Sequence, residues 1–216
     1  AIYSTNGQQC LAGSRILVQR SIADHFMGRF VERAKRITVG DPLSRATELG
    51  PLAFETHMNR VLSYADIAKQ EGGTVLTGGQ RHSGFNKGFF IEPTAVLAPS
   101  NSTRVAQEEI FGPFATFIIF DTVDDAIRIA NDNPFGLVGY CWSSNLNTAM
   151  RVSREVRAGV IWVNTNMMRE LRAPFGGYKE SGIGREGSMS CMELYTEEKT
   201  VSIAVGEINI PQFGRK

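Results

Sequence analysis

The chain has 216 residues, with 23 lysines and arginines against 22 aspartates and glutamates and a formal net charge of +1. That near balance leaves no electrostatic footprint for nucleic acid or for an anionic membrane surface, so small molecules and protein partners remain as candidates. The length is enough to bury a full core, as one large domain or two small ones. Three cysteines of irregular spacing make no disulfide framework, and no CxxC pair or Cys/His cluster proposes a site, so no metal is expected. With neither a signal-like leader nor an apolar run of bilayer length, the expectation is a soluble protein of a reducing, cytoplasmic compartment.

Short apolar runs alternate with segments of helical period, which predicts an α/β fold with a largely parallel sheet and flanking helices. Residues 15–19 read as a strand. Ser21 then predicts a helix cap with Asp24 three residues on, and Ile22, Phe26, Phe30, Ala34 and Ile37 recur at helical spacing until Gly40-Asp41-Pro42 stops the run. A second helix over 55–70 turns Met58, Val61, Leu62, Ala65 and Ala68 inward and ends at Gly72-Gly73, before a strand at 74–76. Strands are expected over 89–97 and 115–120, then a helix over 123–131. A strand at 137–142, a helix at 146–157 and a strand at 160–163 complete a βαβαβ succession of right-handed crossovers. After a short helix, 200–210 sets Val201, Ile203, Val205 and Ile208 in imperfect alternation. Such a terminal strand closes its own sheet or reaches to another subunit, and the cost of an unpaired edge favours the second.

Four places carry chemistry. Cys10 ends the glycine and amide-rich run Asn6-Gly7-Gln8-Gln9-Cys10, where a thiol is either an exposed nucleophile or the small buried hydrophobe that most free cysteines are. Cys141 and Cys191, in apolar surroundings, read as structural, and none of His25, His57 and His82 is linked in sequence to Cys10. The adjacent carboxylates of Glu108 and Glu109 point different ways on any regular backbone, so they are no acid/base pair. One of them can still accept from two sugar hydroxyls beside the Phe111 ring, or the stretch is a solvated acidic turn before Gly112-Pro113. Gly182, Gly184 and Gly187 spell G-x-G-x-x-G, but Tyr178-Lys179-Glu180-Ser181 ahead of them read as no strand and no acid follows at the required distance. A loop turning tightly beside a pocket is the better reading. Arg169 and Arg172 could fork onto a substrate carboxylate, or pair with a surface acid.

NGQQC followed by AGSR, then EEIFGP, NPFGLVGYCWS, PFGGYKESGIGRE and YTEEKTV occur in this order, and over essentially the whole chain the sequence resembles the carboxyl-terminal half of the aldehyde dehydrogenase superfamily. The resemblance implies NAD- or NADP-dependent oxidation of an aldehyde to an acid through a thioester on Cys10, whose backbone N–H helps hold the oxyanion. It implies that Glu109 binds the nicotinamide ribose with Phe111 beside it, that Phe175 lines the aldehyde tunnel, and that Asn164 lies near it. In that family the general base, the oxyanion amide and the cofactor-binding domain precede the nucleophile, so no cofactor is expected on these residues alone. Residues 1–199 would form the catalytic domain, and 200–216 an oligomerisation strand and tail joining a homodimer or homotetramer. The Arg169 to Pro174 stretch and YTEEKTV are similar to the branch acting on hydroxymuconic semialdehydes, the carboxymethyl form in particular. Betaine aldehyde enzymes are the neighbouring alternative, and a purely assembling domain is a third.

Overall fold

The computed structural model describes residues 2–211 and 213–214. In chain order they form β1 (Arg15–Gln19), α1 (Ala23–Lys35), α2 (Glu55–Gln70), β2 (Thr74–Thr77), β3 (Thr94–Leu97), α3 (Arg104–Gln107), β4 (Phe114–Phe120), α4 (Val123–Asn131), β5 (Phe135–Gly136), β6 (Val138–Cys141), α5 (Leu146–Glu155), β7 (Val160–Val163), β8 (Tyr178–Lys179) and α6 (Ser190–Tyr195). Four strands make one sheet in the order β1-β4-β3-β2. β1, β4 and β3 run parallel, with Val18 opposite Ile119 and Val96 opposite Thr116, and β2 is antiparallel at one edge. β4 takes an inner position because FATFIIF is almost unbroken in apolar character, which suits a strand covered on both faces.

α2 covers one face, laying Met58, Val61, Ala65 and Ala68 against Val96, Phe114 and Ile118. α1 covers the other, where Ala23 and Met27 meet Ala95, Ala115 and Phe117. The rings of Phe30 and Phe26 stand edge-on to Phe117, with centroids 5.0 and 6.2 Å away. Burial of each large apolar side chain here stabilises by roughly 1.5–3 kcal/mol relative to exposure.

α1 departs from expectation at both ends. The chain leaves β1 through a 3-10 turn at Arg20–Ile22, so the helix starts after Ile22 and Ser21 makes no side-chain cap. That extra turn rotates the inward stripe onto Ala23, Met27 and Ala34, with Phe30 half-buried, and leaves Ile22 and Phe26 exposed. The helix ends at Lys35, and Gly40 belongs to the next loop, where its N–H donates to the Leu49 carbonyl at 3.0 Å. α2 and α4 keep their predicted bounds, and α4 begins in a capping box between Thr122 and Asp125.

The strand expected over 89–97 is cut short: Pro93 offers no N–H, and Ile91 makes a single bridge to Arg81 before β3 begins at Thr94. β6 and β7 pair in parallel around α5 but form a sheet of their own, so the βαβαβ succession is split after α4. The two parts are tied at the carboxyl end of α4, where unpaired carbonyls attract cations. Arg15 donates to Ile129 and Ala130 carbonyls at 3.1 and 2.9 Å, and Lys179 to Asn131 and Asn133 carbonyls at 2.8 and 2.7 Å. Burial pulls the Arg15 guanidinium down to about 10.

The expected terminal strand makes no ladder within the chain: residues 200–211 are exposed throughout, Val201, Ile203, Val205 and Ile208 included. Residues 212, 215 and 216 of that segment lie outside the described ones. Among the described residues no helix is long and apolar enough to cross a membrane.

Candidate active site

Cys10 is exposed and free, on a turn that comes after a 3-10 segment, Ser4–Gly7. Thr5, Asn6 and Gly7 all take left-handed backbone, with φ of 51, 58 and 66°. Such a run is costly for non-glycine residues and persists only where the surroundings hold it. Asn6 is held by both ends of its amide: Oδ1 accepts from Gly50 N at 2.8 Å and Nδ2 donates to Pro51 O at 2.9 Å. Gly7 packs so closely that a Cβ there would stand 2.0 Å from the Gly112 carbonyl oxygen. The segment leading into the thiol-bearing turn is thereby packed, at Gly7, on Gly112 and Pro113. Among the described residues the Cys10 N–H donates to no acceptor, which leaves it available to a ligand.

That stretch is gripped by one face of α2. His57, Arg60 and Tyr64, three and four residues apart, lie one above another on the helix. His57 Nε2 meets the Phe111 carbonyl at 2.7 Å, Arg60 donates to the Glu109 and Ile110 carbonyls at 2.7 and 3.4 Å, and the Tyr64 hydroxyl donates to Glu108 Oε2 at 2.6 Å. Phe111 can hold φ 60° because its neighbours are fixed in this way.

The two carboxylates fare differently. Glu108 accepts from Arg104 at 2.6 and 3.1 Å as well as from Tyr64, and these bonds, Arg104's first, hold its carboxyl below the usual range. Among the described residues the Glu109 carboxylate has no hydrogen-bond or ion-pair partner, and it is exposed. Glu109 and Phe111 line an open concavity of ≈ 700 Å³ with His57, Arg60, Gln107, Glu108, Pro134 and Phe135. The helix face of His57, Arg60 and Tyr64 has a signal in the sequence, polar residues at helical spacing, but the sequence does not show what they hold.

The residues expected on the substrate side are more loosely placed. Asn164, at φ 53°, uses its whole amide on Ser143, accepting from its N at 2.9 Å and donating to its O at 2.8 Å, so it latches the ends of β6 and β7. Phe175 is half-buried and bridges Glu186, and the Arg169 guanidinium lies 4.4 Å from its ring centroid. Arg172 is exposed and engaged by Glu170 at 2.7 and 2.8 Å, which holds that carboxyl down at about 2.

The glycine fingerprint lies in a loop of another kind. Tyr178 and Lys179, expected to be no strand, form the short β8, but it runs antiparallel to β5, and the next helix after it is the six-residue α6. Gly184 takes φ 68°, left-handed backbone that favours glycine. Cys141 is buried, which pushes its thiol up, and the Cys191 Sγ donates to the Ser188 carbonyl at 3.3 Å.

The model of the aldehyde dehydrogenase family matches residues 1–201, and the chain belongs to that family. It is 43% identical over 206 residues, 95% of the chain, to an aldehyde dehydrogenase of Emericella nidulans, of which it covers 41%. The crystal structure of HpcC from Thermus thermophilus superposes with a TM-score of 0.92 at 40% identity, over 99% of this chain and 42% of that one. Betaine aldehyde dehydrogenase from Staphylococcus aureus, solved in complex with NAD+, has a TM-score of 0.85 at 42% identity, over 88% of this chain and 38% of that one. The chain thus spans about two fifths of the length of these relatives.

Proposed function

We propose that these residues supply the nucleophile and the substrate wall of an NAD- or NADP-dependent aldehyde dehydrogenase. The observation that carries this reading is a close approach of two segments: Gly7, three residues before the exposed Cys10, packs on Gly112, in the stretch whose Glu109 carboxylate is unpaired among the described residues and opens on a concavity. The Cys10 thiolate adds to the aldehyde carbon, and its free backbone N–H steadies the developing oxyanion. A free carboxylate beside an aromatic ring suits a ribose and the flat ring it carries, so Glu109 and Phe111 are the residues that would hold a nicotinamide dinucleotide. When bound, that group supplies the hydride acceptor that takes the adduct to a thioester. Water then releases the acid and returns the thiol.

For the substrate, the carboxylated semialdehyde reading rests on Arg169. Arg172 already has an acid partner, whereas Arg169 has none among the described residues and sits over Phe175 at the expected tunnel wall. A guanidinium there attracts a carboxylate and repels a quaternary ammonium, which counts against betaine aldehyde. Asn164 supports this wall from behind by fixing the end of β7. In a polypeptide of the relatives' full length carrying these residues, Cys10→Ala should abolish turnover. Arg169→Ala should raise KM for a carboxylated semialdehyde about tenfold or more, the loss of one charge-assisted fork, and leave that for betaine aldehyde unraised. An unchanged KM would reject the substrate assignment.

The tail supports a second, compatible role in assembly. Val201, Ile203 and Val205 alternate along an exposed segment without a ladder, which suits pairing with another copy as a homodimer or homotetramer. Sedimentation before and after removal of residues 200–216 tests this, and a monomer in both cases rejects it.

A further inference from the structure

Cys10 is held on its amino side by Asn6 and Gly7. On its carboxyl side the next peptide is held from far away: the Tyr140 hydroxyl on β6 donates to the Leu11 carbonyl at 2.7 Å, across 129 positions of sequence. The Tyr140 ring stacks on Trp162 of β7, with centroids 5.1 Å apart and planes 19° from parallel. Trp162 is buried, and its Nε1 donates to the Met168 carbonyl at 2.7 Å, where the segment carrying Arg169 begins.

We propose that Tyr140 is a positioning residue for the Cys10 nucleophile, its hydroxyl fixing the peptide that leaves Cys10 and its stacked ring tying that turn to the Arg169 segment. The inference rests on the reading of Cys10 as nucleophile. With the hydroxyl donated to it, the Leu11 carbonyl has the negative end of its dipole partly neutralised. Freed, that end stands one residue from the sulfur, where it opposes a thiolate, and the turn gains a freedom that spoils the angle of attack. Burial, and then the neighbouring charge of Cys10, hold the Tyr140 phenol above its ordinary range, so it stays a protonated donor at neutral pH. A tyrosine present for packing alone would need the stacked ring and not the hydroxyl.

Tyr140→Phe separates the two, because it keeps the ring and removes the O–H. Iodoacetamide alkylation of Cys10 at neutral pH should slow about threefold, while alkylation of Cys191 in the same molecules is unchanged. 4-Aminophenylalanine at position 140, which restores a donor, should restore the rate. Infrared spectroscopy of an isotope-labelled Leu11 carbonyl reads the bond directly, and its band should move to higher frequency in Tyr140→Phe. An unmoved band, or equal Cys10 rates with and without the hydroxyl, overturns the positioning role and leaves the nucleophile reading standing. A Cys10 that labels no faster than Cys191 in the unsubstituted chain overturns both.

Discussion

The two segments expected to wall the site are built on opposite plans. On the first, the Glu108-Pro113 stretch, the backbone carbonyls of Glu109, Ile110 and Phe111 each meet a donor from α2, and Glu108 is locked between Arg104 and Tyr64. On the second, the segment from Asn164 to Phe175 is mostly exposed, holds left-handed backbone at Asn164 and Met167, and spends Arg172 on its neighbour Glu170. A fixed wall suits a ligand common to a whole family, whereas a loosely held one can be changed without disturbing the core.

The sharpest way to break the fixed wall is at its contact with the thiol turn. Gly7→Ala places a methyl against the Gly112 carbonyl and forces a side chain onto φ 66°. Backbone strain and overlap together should cost about 2–5 kcal/mol, read by urea unfolding, and should blunt the selective labelling of Cys10. A variant of wild-type stability would mean that the two turns do not lean on each other.

The walls can next be compared through one arginine each. Arg60→Ala removes the side-chain donor to the Glu109 and Ile110 carbonyls and should cost about 0.5–1.5 kcal/mol. Arg172→Ala removes only an exposed pair and should leave the urea midpoint where it was. Equal losses would erase the contrast between the walls.

The smallest effect is electrostatic. The Glu108 carboxyl is held below its ordinary 4.5 by Arg104 and Tyr64, so its contribution is fully present above about pH 4.5 and is lost as pH falls through the lowered folded value. The pair is partly exposed and screened by solvent, so the slope is shallow. Unfolding measured from about pH 6 to about pH 3 should show it, and Glu108→Gln should flatten it.

Much of this was legible in the sequence where local signals agreed. α2 could be bounded because its apolar period runs unbroken to Gly72-Gly73. Phase was lost at α1, where a 3-10 turn shifted the buried stripe, and length was lost at β3, where Pro93 removed a donor. Cys10, Glu109 and Phe111 stood out as residue types in telling company. Their supports did not, because Arg60, His57 and Tyr140 act on backbone carbonyls of residues 49 to 129 positions away, a relation that no local pattern encodes.

The central claim is that Cys10, alone among the three cysteines, is presented for attack. A brief iodoacetamide pulse on the folded chain, followed by peptide mass spectrometry, tests it most directly. The account predicts that Cys10 is alkylated first, with Cys191 slower and the buried Cys141 slowest. Equal labelling of all three would contradict it.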